Sequence, residues 1–170
     1  MTDVQDRTNP GTALAGPPKL DSLAHVSLPC RDLDEGKRFY CGVLGGTIRV
    51  DHPEFCAIAL AGTEIGIGTK GCTFIKPGTE YPHVAFYCNA DTMLRMKDWL
   101  AQFGVPSSDY WTRRGVEVLM FFRDPSGNMI ELFCLEGFKG ADKLPKGPPA
   151  AHGTALNVDD CRYDRWNPPA

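Results

Sequence analysis

The sequence predicts an α+β fold made of two βαβββ modules that form a cupped mixed sheet, and three observations support this. Laid over itself at an offset of 58 residues, the chain repeats His25-Val26 as His83-Val84, Cys30 as Cys88 and Gly46 as Gly104. Each histidine lies in an alternating, strand-like segment that leads into an amphipathic helix. Two apolar runs flank Asp124-Pro125-Ser126-Gly127 and predict a β-hairpin near the end of the second module. Helices are expected to cover one face of the sheet and leave the other open.

The first module is expected over about residues 21–75, after a flexible arm at residues 1–20 that is polar and rich in Pro and Gly. Alternation predicts a strand over Leu23–Pro29. Helical spacing of apolar residues predicts a helix from Asp32 to Leu44, ended by Gly45-Gly46. Three short strands should follow, at residues 47–50, 55–60 and 64–68.

The second module is expected over about residues 80–136. It begins with the alternating strand 81–88, continues with a helix over 91–103, and ends with the two hairpin strands between Val118 and Phe133. Residues 137–170 are rich in Pro and Gly and predict an extended tail. Its Leu144, Tyr163 and Trp166 either latch onto the core or a neighbouring subunit, or belong to a disordered segment.

Composition narrows the class of protein. The chain has 170 residues, of which 42% are hydrophobic, and a net charge of −3. This suits one compact domain or two fused modules, and gives no electrostatic reason to expect nucleic acid or an anionic membrane as a partner. No apolar run is long enough to cross a bilayer and no secretory segment is evident, so we expect a cytoplasmic protein that binds a small molecule. Its seven cysteines form no CxxC pair and are expected to be reduced thiols.

One charged residue conflicts with its surroundings. Glu131 stands among Met129, Ile130, Leu132 and Phe133, where an ionised carboxylate loses hydration unless a partner compensates it. An arginine (Arg113, Arg114 or Arg123) or a metal ion could be that partner.

A metal ion would also account for the two histidines in matching positions. By strand parity His25 and His83 face the open side of the sheet, as Glu131 does. Two imidazoles and one carboxylate with open positions suit Fe(II), and also Mn(II), Zn(II) or Ni(II). His52 and His152 lie in loop or tail segments and are expected to be solvated.

The pattern from His25 and Asp32-Leu33-Asp34 through Phe39-Tyr40 and Leu44-Gly45 to His83 and Asp124-Pro125-Ser126-Gly127-Asn128 with Glu131 resembles the vicinal oxygen chelate superfamily. That superfamily includes glyoxalase I, bleomycin-resistance proteins and extradiol dioxygenases. The resemblance covers about residues 23–135 and implies βαβββ modules, and its dioxygenases bind iron at positions matching His25, His83 and Glu131.

Three functions follow as expectations from this resemblance. We expect first an Fe(II) extradiol-type dioxygenase that uses O₂ to cleave a small catechol-like ring, assembled as a homodimer. The second is a glyoxalase-like isomerase or lyase, or a fosfomycin-type thiol transferase, which uses the metal as a Lewis acid. The third is a metal-free binding protein of the bleomycin-resistance kind.

Several residues distinguish these alternatives. Ring-cleaving members place a tyrosine that binds the substrate oxyanion where this chain has Phe121, so Tyr81, Tyr87 or Tyr110 would have to replace it. Arg113, next to Trp111, is a candidate for binding a substrate carboxylate. Glyoxalase I adds a fourth ligand whose best match here falls at Gly66, with Glu64 an alternative if the register slips.

Overall fold

The computed structural model describes residues 22–76, 82–147, 161–163 and 165–168. The first module contains β1 (His25–Pro29), α1 (Leu33–Lys37, continuing as π-helical turns over Arg38–Val43), β2 (Thr47–His52), β3 (Phe55–Leu60) and β4 (Thr63–Gly68). The second contains β5 (His83–Tyr87), α2 (Ala90–Gln102), β6 (Val118–Arg123) and β7 (Met129–Cys134), and a 3₁₀ turn follows at Ala141–Lys143. The predicted α+β fold is confirmed, and both predicted helices and the hairpin lie where the sequence patterns place them.

The strands form two sheets rather than one continuous hydrogen-bonded ladder. Their orders are β1-β4-β3-β2 and β5-β7-β6. In each module the first strand pairs in parallel with the last one, and the other pairs are antiparallel. The two strands that carry the repeated histidines, β1 and β5, therefore lie at sheet edges.

One strand of the predicted pattern is reduced in the second module. Between α2 and β6 the chain makes only isolated bridges, Ser107 with Phe122, Trp111 with Leu119 and Thr112 with Lys146. The side-chain Oγ of Ser108 accepts a hydrogen bond from the backbone N–H of Phe121 at 2.9 Å. The Ser108 hydroxyl thus accepts a hydrogen bond that a backbone carbonyl would accept in a regular sheet. This interrupts the pairing of the segment with β6.

Both helices begin and end in the same way, as expected for repeated modules. The side chains of Asp32 and Asn89 cap the two N-termini, each accepting from a backbone N–H three residues later. Gly45 and Gly104 follow the two helices with positive φ values of 75° and 65°. Within the described stretches, neither helix is long and apolar enough to span a membrane.

The hairpin turn also joins the two modules. The Tyr40 hydroxyl on the first module donates to Asp124 Oδ2 at 2.9 Å, and Asn128 Nδ2 donates to the Pro29 carbonyl at 2.8 Å. The backbone N–H of Arg31 donates to Ser126 Oγ at 2.9 Å. The turn between β6 and β7 is therefore fixed against the end of β1 and the helix that follows it.

Part of the C-terminal segment packs on this joint. Trp166 is buried, its ring lies edge-on to Phe39 with 5.6 Å between centroids, and its Nε1 donates to the Phe103 carbonyl at 2.8 Å. The Tyr163 hydroxyl donates to the Arg123 carbonyl at 2.8 Å. These contacts agree with the alternative in which Tyr163 and Trp166 pack onto the core.

Candidate metal centre

The open face of the second sheet brings together two of the predicted metal ligands. Strands β5 and β7 are adjacent, with Ala85 directly opposite Glu131, so His83 lies one diagonal step from the carboxylate on the same face. The distance between His83 Nε2 and Glu131 Oε2 is 2.9 Å. The imidazole and the carboxylate are thus in direct contact, as the strand parity predicts.

The surroundings of Glu131 are as apolar as the sequence indicates. Its side chain is 2% exposed, and Phe121 lies directly opposite it on β6. Trp111, Leu119, Phe121 and Met129 form a separate buried apolar cluster on this face, with Phe133 packed against it. An ionised Glu131 therefore needs compensation from the groups that touch it.

One of the three arginines considered as partners of Glu131 is close to it. The distance from Arg113 Nη2 to Glu131 Oε1 is 3.6 Å. Arg114 instead pairs with Glu117, and Arg123 donates to the Gly127 carbonyl. In a single metal-free chain, the partners of Glu131 thus include both His83 and Arg113.

His25 does not join this pair within one chain. It lies on the open face of the first sheet, is exposed, and faces Glu64 directly across the β1–β4 pair. Across the described ranges, no group of three His, Cys, Asp or Glu side chains could hold a metal ion. The structure therefore unites His83 and Glu131 and leaves His25 apart.

The strand register of the first sheet identifies the residue at the position of a fourth ligand. Ser27 lies opposite Gly66 in the first sheet, as Ala85 lies opposite Glu131 in the second, so Gly66 is the position that matches Glu131. A Cβ at Gly66 would lie 2.9 Å from Cε2 of Phe55, so that ring occupies the space above the glycine. Glu64 shares the open face with His25 but is displaced by two residues from the matching position.

Among the candidate tyrosines, Tyr87 is largely exposed on β5. Tyr81 lies outside the described residues. Tyr110 is not part of this site, because its hydroxyl donates to the Met93 carbonyl of α2 at 3.2 Å and its ring packs on the main core. Phe121, whose ring centroid is 5.7 Å from that of His83, places no hydroxyl beside the pair.

A cavity of about 380 Å³ opens beside the pair. It is lined by His83, Ala85, Tyr87, Arg113, Glu131 and Phe133. The Arg113 guanidinium lies 5.5 Å above the centroid of Trp111 and 5.8 Å above that of Phe133. A small ligand in this cavity would meet an imidazole, a carboxylate and a guanidinium.

The sequence interpretation missed Glu117, which is fully buried and binds the loop that carries Arg113. The signal was present, since Glu117 stands between Val116 and Val118 as Glu131 stands between Ile130 and Leu132. Hydrogen bonds from its own backbone N–H and that of Arg113, together with Arg114, lower the pKa of Glu117 although its burial acts to raise it.

The pair formed by His83 and Glu131 fits a divalent cation. Nitrogen and oxygen ligands lie about 2.0–2.2 Å from a zinc ion, so two ligand atoms are about 3.0 Å apart at an octahedral angle and about 3.4 Å apart at a tetrahedral one. The observed 2.9 Å between Nε2 and Oε2 is the hydrogen-bond distance of the metal-free pair, and it is close enough to these spacings for both atoms to bind one ion after a small shift. Imidazole and carboxylate are also ligands that Fe, Mn, Zn and Ni accept.

Comparison with known proteins places most of the described chain in one group. Residues 22–132 match the model of the glyoxalase/bleomycin resistance protein/dioxygenase superfamily. The chain is 35% identical over 149 residues to the Arabidopsis thaliana protein named Glyoxylase I 4, and the match covers 78% of each chain.

Solved structures show the same fold at lower identity. The fosfomycin resistance protein FosX from Listeria monocytogenes is 19% identical with a TM-score of 0.61, and the match covers 73% of this chain and 99% of that one. Lactoylglutathione lyase from Agrobacterium tumefaciens is 19% identical with a TM-score of 0.57, covering 69% and 95%. A glyoxalase/bleomycin resistance protein/dioxygenase from Alicyclobacillus acidocaldarius is 23% identical with a TM-score of 0.58, covering 68% and 92%.

Proposed function

Because the chain belongs to the glyoxalase/bleomycin resistance protein/dioxygenase superfamily, we propose that it is a metal-dependent enzyme in which His83, Glu131 and His25 hold one divalent ion. The observation that carries this proposal is the 2.9 Å contact between His83 Nε2 and Glu131 Oε2 on an apolar, buried face. A metal-free binding protein has no need for a carboxylate in that position.

The third ligand, His25, is supplied by a second copy of the chain. His25 is exposed on edge strand β1, whereas the pair lies next to edge strand β5. Joining β1 of one copy to β5 of another would extend both sheets and bring the repeated histidines onto one open face. In this arrangement the expected homodimer is needed to complete the metal site.

The chemistry we favour is that of a glyoxalase-like isomerase or lyase, or of a fosfomycin-type transferase, and not ring cleavage. When bound, the ion would act as a Lewis acid that stabilises a developing negative charge on a substrate oxygen. His83 and Glu131 would bind it, Phe121 and Met129 would exclude water, and Arg113 would orient the substrate. The names of the relatives, a glyoxylase, a lactoylglutathione lyase and a fosfomycin resistance protein, support this choice.

Cleavage of a catechol-like ring by Fe(II) and O₂ remains the competing hypothesis. Ring-cleaving members use a hydroxyl near the ion to bind the substrate oxyanion. Phe121, opposite Glu131, cannot do so, and Tyr110 is bonded to α2. The site residues therefore give weaker support to this reaction.

Activity under argon separates the two reactions. Protein loaded in turn with Zn(II), Ni(II), Mn(II) or Fe(II) is assayed without O₂ in two reactions: formation of lactoylglutathione from the hemithioacetal of glutathione and methylglyoxal, and addition of supplied glutathione to fosfomycin. It is assayed in air for O₂ uptake with catechols. We expect metal-dependent turnover without O₂ that is lost in the His83→Ala variant and kept in His52→Ala, which changes a histidine on β2. Uptake of O₂ with catechols and no turnover under argon would reverse the choice.

A further inference from the structure

The loop between Thr112 and Glu117 is held in one conformation by a buried carboxylate. Glu117 Oε1 accepts from the backbone N–H groups of both Arg113 and Arg114 at 3.1 Å. Its Oε2 lies 3.3 Å from Nε of Arg114, and the Gly115 N–H donates to Thr112 Oγ1 at 2.8 Å. Each of these bonds fixes the backbone from which the Arg113 side chain extends.

The loop places the Arg113 guanidinium at the mouth of the cavity beside the metal pair. Its side chain is 50% exposed, and its charged end lies over the faces of Trp111 and Phe133. Aromatic faces favour a cation at this range and restrict its orientation. The guanidinium is therefore already positioned before a ligand binds, and it is accessible from the cavity.

The guanidinium and a metal ion would compensate the same carboxylate. Arg113 Nη2 is 3.6 Å from Glu131 Oε1, on the side of the carboxylate away from the His83 contact at Oε2. Once a divalent ion is bound to Glu131, the carboxylate no longer needs the guanidinium. The positive charge of Arg113 then becomes available to a second anion in the cavity.

We propose that Arg113 binds a negatively charged group of the substrate and that Glu117 is the residue that positions it. The substrate is then a small anion, carrying a carboxylate or a tetrahedral oxyanion within reach of the metal-bound oxygen, and it fits a cavity of about 380 Å³. This inference rests on the proposed function, because it requires a cation at His83 and Glu131. A planar guanidinium suits both kinds of anion through paired hydrogen bonds.

The test measures metal and anion binding separately. Zn(II) affinity is determined by competition with a chromophoric chelator, and inorganic phosphate and acetate are then titrated into the Zn(II)-loaded protein by calorimetry. We expect phosphate or acetate to bind the loaded wild type, and Arg113→Gln to weaken that binding about tenfold or more. The same variant should bind Zn(II) at least as tightly as wild type, because a competing cation has been removed. Arg95→Gln, which removes an exposed charge on α2, is the matched control and should change neither affinity.

The role of Glu117 has its own variants. Glu117→Ala should weaken anion binding as much as Arg113→Gln does while Zn(II) affinity is kept, and Glu117→Gln should restore most of it, since an amide oxygen can still accept the two backbone N–H groups. If Glu117→Ala does not fold, Thr112→Val, which removes the acceptor for Gly115 N–H at constant volume, should show the same selective loss.

The outcomes separate the two proposals. Zn(II) binding together with anion affinity equal in wild type and Arg113→Gln would overturn the role of Arg113 and leave the metal site intact. Failure of the wild type to bind any divalent ion would overturn both. Equal anion affinity in wild type, Glu117→Ala and Thr112→Val would overturn the positioning role.

Discussion

At the scale of single residues, Glu131 combines two properties that conflict in the absence of a metal ion: burial and a negative charge. Its carboxylate is almost fully buried beside an apolar cluster, and its contacts include an imidazole and a half-exposed guanidinium. Burying a charge costs several kcal/mol unless excellent partners repay it. The metal-free protein should therefore carry a local instability that a bound ion removes.

Substitution of Glu131 by glutamine should consequently act in opposite directions with and without metal. Without metal, Glu131→Gln should leave the free energy of unfolding unchanged or raise it, by up to about 1 kcal/mol, because a charge is removed from apolar surroundings. With Zn(II) at about 100 times its dissociation constant, wild type should gain about 2.7 kcal/mol and the variant almost nothing. Urea unfolding with and without Zn(II) measures both effects. His52→Ala should gain as much as wild type, and an equal gain in Glu131→Gln would exclude Glu131 as a ligand.

Two glycines of the first module offer a second comparison at this scale. A Cβ at Gly46 would lie 2.5 Å from Ile58 Cγ2 and 2.9 Å from the Tyr40 carbonyl, whereas a Cβ at Gly42 meets nothing within 4 Å. Gly46→Ala should therefore destabilise the protein by about 1–3 kcal/mol through overpacking against backbone. Gly42→Ala should stabilise it by about 0.5–1 kcal/mol, since alanine loses less entropy in helical backbone. Thermal unfolding of both variants tests the pair, and a similar cost at the two sites would contradict this packing.

At the scale of elements, the turn between β6 and β7 is a joint as well as a hairpin connection. Asp124 Oδ1 accepts from the backbone N–H groups of Ser126 and Asn128, and Oδ2 accepts from the Tyr40 hydroxyl. Burial nevertheless raises the pKa of Asp124 to about 6, because desolvation outweighs these hydrogen bonds. The joint thus contains a carboxyl group that is more easily protonated in the folded protein than in the unfolded chain.

The stability of the protein should depend on pH through this group in a defined direction. The pKa of Asp124 is higher in the folded state than the usual 3.8, so its contribution is complete below about pH 4 and is lost as the pH rises to about 6. The difference in pKa corresponds to about 3 kcal/mol. Asp124→Asn should remove this pH-dependent contribution. The difference in the free energy of unfolding between variant and wild type should therefore change between about pH 4 and pH 6 and level off above pH 6. Urea unfolding of both proteins from pH 4 to 7 measures it, and parallel curves would contradict a raised pKa.

Periodicity and turn chemistry were sufficient to predict most elements. The alternation around His25 and His83, the helical spacing of apolar residues and the glycines after the first helix are local signals. Together with the hairpin turn they predicted both helices and all seven strands, with small differences at the ends. The βαβββ pattern implies a further strand after α2, and the segment there is irregular because Ser108 bonds to Phe121 through its side chain. Which backbone atom a hydroxyl will replace depends on tertiary contacts that no local pattern records.

The candidate site was predictable only in part, for a related reason. Strand parity put His83 and Glu131 on one face, and the pairing of β5 with β7 brings them into contact. Strand parity also placed His25 on an open face, but this face belongs to the other sheet. The distance between two sheets cannot be inferred from the alternation of residues along a strand. The choice of Tyr110 failed because an aromatic residue before a strand can pack on either side of it.

At the scale of the whole molecule, two edges and two open faces remain available for a second copy. β1 neighbours only β4 and β5 only β7 in the described part of the chain. A groove of about 510 Å³ is lined by apolar and polar residues of both strands, of the loop before β5 and of the start of β7. Large side chains on the first sheet, such as Val50 and Phe55, are also exposed. Unpaired edges beside exposed apolar surface favour association.

Complementation between inactive variants would show whether the metal site forms between copies. His25→Ala and Glu131→Ala homodimers should each lack tight Zn(II) binding, because each lacks one ligand at every site. A mixed dimer has one site in which His25 comes from one chain and His83 with Glu131 from the other, so co-refolding the two variants should restore binding. Mixing His83→Ala with Glu131→Ala should restore none, since these two ligands come from the same chain and every site stays incomplete. Metal analysis of separately tagged mixed dimers measures the outcome. Restoration in both mixtures, or in neither while wild type binds Zn(II), would contradict ligands shared between copies.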